Sequence, residues 1–284
     1  MGSTRYDIDA RYDRASKAGY ETKSANEIFT QNAKRKAHES MNPYGISFRE
    51  SRDSEVHPNS VPVILGLDVT GSMGYIPHEL IREGLPKLMG GIIQGGVPDP
   101  ALLFLGIGDH ECDGYPLQVG QFESGDEELD MWLTRTYIES GGGGNAGESY
   151  LLAWYFAAFH TRTDAFEKRK QKGLLFTVGD EPCLKVLPAS AIREIMGTGQ
   201  QTYTSMELLE EAKKRYEVYH INVLHSGQAE RAARGWKELL GQNCISIEDH
   251  REIPNVIKGI ICGPFKNKTF GAAAQGGLDH IQML

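Results

Sequence analysis

The chain has 284 residues, 40% of them hydrophobic and 24% charged, which suits one large α/β domain or a medium domain with extensions. A formal net charge of −8 argues against a nucleic-acid or anionic-membrane partner, and no stretch approaches the length of a transmembrane helix. The four cysteines, Cys112, Cys183, Cys244 and Cys262, lie far apart without a C-x-x-C pair and imply neither a disulfide framework nor a structural zinc site.

Residues 1–60 form a polar N-terminal extension of weak periodicity. Arg5, Asp7, Asp9, Arg11, Asp13 and Arg14 crowd its start and leave no apolar signal segment, so the expected location is the cytoplasm. Ala25 to Ser40 reads as one amphipathic helix, and Met41-Asn-Pro-Tyr-Gly and His57-Pro-Asn-Ser read as turns. The extension is expected either to wrap the following domain or to serve a partner.

The pattern changes at Val61. Val61-Pro-Val-Ile-Leu-Gly-Leu-Asp-Val is a nearly continuous apolar run, as in a strand buried on both faces. A helix follows from Pro77 to Ile93 with a kink at Pro86, then a second buried strand from Ala101 to Gly108. Leu117 to Phe122 alternates like a half-exposed edge strand, and Asp126 to Ile138 and Ser149 to His160 read as helices. Lys168-Arg169-Lys170 with Lys172 reads as a solvated helix end. A third buried strand spans Gly173 to Gly179. It is followed by a helix from Tyr203 to Arg215, a strand from Val218 to Leu224, a helix from Glu230 to Leu240, a short strand from Cys244 to Ile247 and a closing helix from Asp249 to Ile261. This alternation predicts a Rossmann-like three-layer α/β sandwich over residues 61–263, with a central, mostly parallel sheet and one antiparallel edge strand. Residues 264–284, rich in Gly and Ala, read as a C-terminal tail.

Ligands of such a sheet bind beyond the carboxyl ends of its strands. The first strand ends in Asp68-Val-Thr-Gly-Ser-Met-Gly, the second in Gly108-Asp-His-Glu-Cys-Asp and the third in Gly179-Asp-Glu-Pro, so oxygen ligands collect at one edge. Asp68, Thr70 and Ser72 form D-x-T-x-S, in which alternating residues leaving a strand can aim one carboxylate and two hydroxyls at a single point. These are hard donors, suited to Mg²⁺, Mn²⁺ or Ca²⁺ and not to zinc.

This motif after the first buried strand resembles the metal-ion-dependent adhesion site of von Willebrand factor A (vWA) domains, and the order of elements over residues 60–263 is similar to theirs. Gly142-Gly-Gly-Asn-Ala-Gly-Glu-Ser resembles the G-G-G-D-x-x-E-D stretch of vWA domains associated with alpha-kinases. The family draws a Thr from that loop, and here Asn145 or Glu148 stands in its place. The family's third loop, T-D-G-E-x, reads Val178-Gly179-Asp180-Glu181-Pro182, with the acid moved by one position onto Asp180. Asp109-His110-Glu111-Cys112-Asp113 resembles the R-D-H-x-D segment of the same domains, departing at Gly108 and at the last Asp. The resemblance implies metal ligands Asp68, Thr70, Ser72, Asp180, Asn145 and Glu148, with Asp109 and Glu181 behind them as hydrogen-bonding partners. It also implies a protein partner that offers an acidic side chain to the ion, and no catalytic residue. The partner's identity and the oligomeric state are not legible.

Other readings of the same residues carry different expectations. Gly142-x-Gly144-x-x-Gly147 matches a dinucleotide fingerprint, but that needs a strand before it, and Met131 to Ile138 reads as helix. Ser72 sits where a hydrolase nucleophile would, yet Thr70 stands where G-x-S-x-G requires glycine, and neither His225 nor His250 lies in a motif. His78, His160 and His220 read as packing or surface residues. Metal-assisted hydrolysis, with Asp180, Glu181 or His110 activating a water, and a structural assembly subunit docking through residues 1–60 are the alternatives to the binding module.

Overall fold

Six strands carry the molecule: β1 Val61–Asp68, β2 Pro100–Ile107, β3 Leu117–Val119, β4 Gly173–Gly179, β5 Tyr216–Val223 and β6 Cys244–Ile247. The computed structural model describes residues 4–263 apart from 72, 98, 140–146 and 226, so Ser72, Asn145 and the tail 264–284 lie outside the described residues. The strands form one sheet in the order β3-β2-β1-β4-β5-β6. β1 pairs in parallel with β2, Asp68 opposite Ile107, and with β4, Leu67 opposite Val178. β5 and β6 extend the sheet in parallel, and β3 closes the other edge antiparallel to β2. The chain runs outward from β1 to one edge and returns to continue from β4 to the other. The reversal of strand order therefore falls between β1 and β4, where a doubly wound sheet opens its ligand crevice.

Side chains alternate along each strand, so β1 feeds two cores. Val63, Leu65 and Leu67 pack with the helical run Tyr75–Gln94 (α2), the helix Asp126–Thr134 (α3) and a helix over 253–263. Ile64 packs on the other face with Tyr150–Phe159 (α4), Ser205–Lys213 (α5) and Gly227–Leu240 (α6). The sequence of α4, Tyr-Leu-Leu-Ala-Trp-Tyr-Phe-Ala-Ala-Phe, has no polar face, and almost the whole helix is buried. A helix apolar all round belongs in an interior.

Several expectations need correction. Ala25 to Ser40 is not one helix: it breaks into Ala25–Ile28, Gln31–Lys34 and a 3₁₀ turn Glu39–Met41, with Arg35 in a left-handed conformation. The expected kink at Pro86 is a π-helical stretch, Leu80–Gly84, immediately before it, where the ladder adjusts to a residue without an N–H. β3 is an edge strand but not half-exposed, because its polar residue is itself satisfied inside. Gln118 donates to the Tyr137 carbonyl and accepts from the Tyr137 N–H, both at 2.8 Å. That pairing pulls residues 135–138 back along β3, so α3 stops at Thr134 and not at Ile138. A helix Ala189–Met196 and a hairpin pairing Val186–Leu187 with Tyr203–Thr204 precede α5, which starts at Ser205.

The described part of the extension wraps the domain. The helix Ile8–Ala18, capped by the Asp7 side chain, buries Arg11 against Asp130 of α3 at 2.6 Å, and Arg14 reaches Asp126 at 2.6 Å. Arg49–Ser51 pairs in parallel with Thr161–Thr163, and Arg52 meets Asp164 at 2.8 Å. Arg169, read as part of a solvated cluster, is instead bonded to Asp53 and to the Ser60 carbonyl.

Candidate metal centre

Asp68 is the last residue of β1 and is 1% exposed. Its Oδ1 accepts the Thr70 N–H at 2.9 Å and the Thr70 hydroxyl at 2.7 Å, and its Oδ2 accepts the Tyr150 hydroxyl at 3.0 Å. The chain therefore turns around the carboxylate itself. The Thr70 carbonyl then accepts the N–H groups of Met73 and Gly74, which leads into α2. Tyr150 reaches Asp68 across the end of β4, past Gly179. A Cβ at Gly179 would stand 1.8 Å from the Tyr150 hydroxyl, so only glycine lets this side chain through.

Glu148 enters the same region from the segment before α4. Its N–H donates to the Pro182 carbonyl at 2.9 Å and its carbonyl accepts from Leu184 at 3.0 Å, which ties it to the loop after β4. Its carboxyl is buried, and Oε2 has no hydrogen-bond partner among the described residues. Asp180, the first residue beyond β4, is likewise buried, with Oδ2 3.2 Å from His225 Nε2 in the loop after β5.

Electrostatics couple these groups. Burial raises Asp68 well above the ordinary carboxylate range; its bonds from Thr70 and Tyr150 oppose this, and the Asp180 charge adds to it. Glu148 is raised by burial and then by the charges of Asp68, Asp113 and Asp109, against a bond with Thr70. Tyr150 is pushed up by burial and by Asp68, Glu148 and Asp180. These acids face one another in a low-dielectric setting, where each carboxylate disfavours ionisation of the next.

The structure thus places Thr70 against Asp68, and Glu148 and Asp180 each within electrostatic reach of one or both of them, near the ends of β1 and β4. Asp109 stands one step behind: its Oδ1 accepts from the Glu111 N–H at 2.9 Å and from the Ser149 hydroxyl at 3.4 Å. Glu181 turns the other way, its carboxylate bonded by Gln228 and its carbonyl by Trp236 Nε1 at 3.0 Å. His110 is bonded locally, its Nδ1 2.7 Å from Ser149 Oγ. Tyr150 escaped the sequence reading, and His225 entered it only as a candidate hydrolase base without a motif. A tyrosine at the head of an otherwise apolar helix, two residues after Glu148, was a visible signal; His225 carried none.

Among the described residues no group of three or more His, Cys, Asp and Glu side chains is arranged to hold a metal ion, so a cation here has to draw on hydroxyl oxygens as well. The donor types fit a hard divalent cation, since the carboxylates of Asp68, Glu148 and Asp180 and the Thr70 hydroxyl all offer oxygen. The orphaned, buried Glu148 Oε2 fits it too.

No family model matches the chain, and no curated protein matches it. Solved structures do resemble it at low identity. The pilus adhesin SpaC from Lactobacillus rhamnosus GG, in an open conformation, is 12% identical over 76% of this chain and 31% of its own, with a TM-score of 0.48. This chain therefore spans about a third of that adhesin. The von Willebrand factor domain of the type V pili tip protein Mfa5 from Porphyromonas gingivalis is 9% identical over 75% of this chain and 96% of its own, with a TM-score of 0.45. The SpRpn10 VWA domain is 11% identical over 69% and 93%, with a TM-score of 0.43.

Proposed function

We propose that this chain is a vWA-type protein-interaction module whose binding edge holds one divalent cation, Mg²⁺ or else Mn²⁺ or Ca²⁺. Asp68, Thr70 and Ser72 would hold the ion from the first loop, with Glu148 or Asn145 from the second and Asp180 from the third. The observation that carries this reading is the burial of Asp68, Glu148 and Asp180 with the Asp68 carboxyl within electrostatic reach of both other acids. Buried like charges of this kind are costly unless neutralised, and a divalent cation neutralises two of them at once.

When bound, the ion supplies an electron-poor position to which an acidic side chain of a partner can bond. The chain's own residues set how strong that position is. Thr70 and Tyr150 donate to the Asp68 carboxylate and spread its charge. His225 engages one oxygen of Asp180 and lowers what Asp180 can give. Fewer fully charged ligands leave more attraction for the partner's carboxylate.

The test is retention of partner protein on immobilised full-length chain, with Mg²⁺ and with chelator, for the wild type and for Asp68→Ala. Retention that needs both the metal and Asp68 supports the reading. Retention indifferent to chelator and to Asp68 removes it, and an Asp68-dependent turnover of ester or phosphate substrates would transfer the site to metal-assisted hydrolysis.

A further inference from the structure

Beside the metal centre, residues 36–43 of the N-terminal segment, the stretch from His110 to Leu117 and the helix Ala189–Met196 enclose a cleft of about 400 Å³. Its size lies in the range of small-ligand sites. No vWA loop alone makes it, because one wall belongs to the extension.

The cleft carries more acidic than basic side chains. The carboxylates of Glu39, Asp113 and Glu194 line it, against a single lysine, Lys36. Among the described residues neither Glu39 nor Glu194 forms an ion pair, and both are exposed. Tyr115 adds an aromatic ring, braced edge-on by Tyr137 at 5.8 Å. Leu117 and Ile195 add apolar surface.

The second observation is His110, which also lines the cleft although its side chain is 4% exposed. Ser149 Oγ accepts the His110 backbone N–H at 2.9 Å, lies 2.7 Å from Nδ1 and donates to Asp109 Oδ1 at 3.4 Å. In the tautomer with the ring proton on Nδ1, Ser149 accepts it. The opposite ring nitrogen, Nε2, is then a bare lone pair, and it is buried without a partner among the described residues. That lone pair and the carboxylates of Glu39, Glu194 and Asp113, the last already accepting the Asp109 N–H at 2.7 Å, give the cleft an excess of acceptors, which favours a ligand rich in donors.

We propose that this cleft binds an organic cation, an alkyl guanidinium or alkyl ammonium group. The charged head meets the carboxylates, His110 Nε2 and the Tyr115 ring, and its methylene stem lies along the apolar wall. A free amine and a basic side chain of a peptide share this chemistry.

Calorimetry on the full chain, with chelator present, tests it using two probes, agmatine and the blocked tripeptide acetyl-Gly-Arg-Gly-amide, with the citrulline tripeptide as the neutral control. Both cations bind and the control does not. Glu39→Gln and Glu194→Gln each weaken binding by about 2- to 5-fold, as expected for exposed charge pairs, and Lys36→Gln tightens it by a similar factor. Both glutamates are exposed, so the variants keep the wild-type circular dichroism. Asp68→Ala leaves cation binding unchanged, which separates this site from the metal reading. A tripeptide tighter than agmatine assigns the cleft to a protein side chain, and equal or tighter agmatine assigns it to a free amine. Absence of saturable heat with either cation at millimolar concentration, equal binding of the citrulline control, or wild-type binding by both glutamine variants overturns the proposal.

Discussion

Tyr150 donates its hydroxyl to the buried Asp68 carboxylate at 3.0 Å, through a gap that exists because residue 179 has no side chain. The pair joins the first strand of the sheet to the start of α4, across 82 residues of sequence.

Removing that hydroxyl with Tyr150→Phe leaves one oxygen of a buried carboxylate with a partner fewer. The expected cost is about 1–3 kcal/mol by chemical denaturation, the range for leaving a buried polar group without its partner. Gly179→Ala forces a methyl against the same hydroxyl and is expected to cost about 1–3 kcal/mol, as overpacking does. Because one contact underlies both effects, Gly179→Ala costs less in the Tyr150→Phe background than alone. Strict additivity in the double-mutant cycle would contradict the close approach.

The raised carboxyls fix the sign of a pH effect. Asp68 and Glu148 hold their protons to higher pH when folded than when unfolded. The native state then binds more protons than the unfolded chain, so their contribution to stability is greatest below the unfolded value, about 4, and is lost as pH rises through about 7 for Asp68 and about 9 for Glu148. Metal-free protein should lose stability over that rise, and Asp68→Asn should lose less of it. A divalent cation offsets the same charges, so the gap in melting temperature between metal-loaded and metal-free protein widens with pH. A gap constant with pH would count against these carboxyls as the ligands.

Arg11 is fully buried beside Asp130, whose carboxyl is raised by burial and drawn down again by Arg11 and Arg14. Arg11→Leu leaves Asp130 buried with only the partly exposed Arg14 to balance it. Breaking a buried pair on one side costs about 3–5 kcal/mol, measurable as a fall in the urea midpoint. Asp130→Asn in the same background should recover part of that loss, since the uncompensated charge goes with it.

The N-terminal segment is stitched on at Asp164. Burial works to raise this carboxyl, but Lys168, the Asp53 N–H and Arg52 outweigh it and hold it down at about 2. A depressed carboxyl stabilises above its unfolded value and loses that contribution as pH falls toward 2. Asp164→Asn is therefore expected to speed limited proteolysis near residues 50–54 at neutral pH, with little difference from wild type once the pH is low enough to protonate Asp164.

The sheet was legible because its strands are buried on both faces. Val61, Ala101 and Gly173 each begin an apolar run too continuous for a surface element, and the strands start within a residue of those positions. The first helix was not legible. Arg11 and Arg14 look like solvated charge until Asp126 and Asp130, more than a hundred residues later, are folded against them. Gln118 misled for the same reason, since a polar residue in an edge strand reads as outward unless its partner at Tyr137 is known. At the site, Asp68 and Thr70 could be read because their geometry is local to one turn. Tyr150, His225 and the turning away of Glu181 depend on which loops meet, and that is set by sheet order and not by spacing.

The most direct test of the central claim is a calorimetric titration of Mn²⁺ or Mg²⁺ into chelator-treated protein, wild type beside Asp68→Ala. The account predicts one saturable ion per wild-type chain and none for the variant, with both proteins folded by circular dichroism. Wild-type protein that takes up no ion, or a variant that binds it as the wild type does, would contradict it.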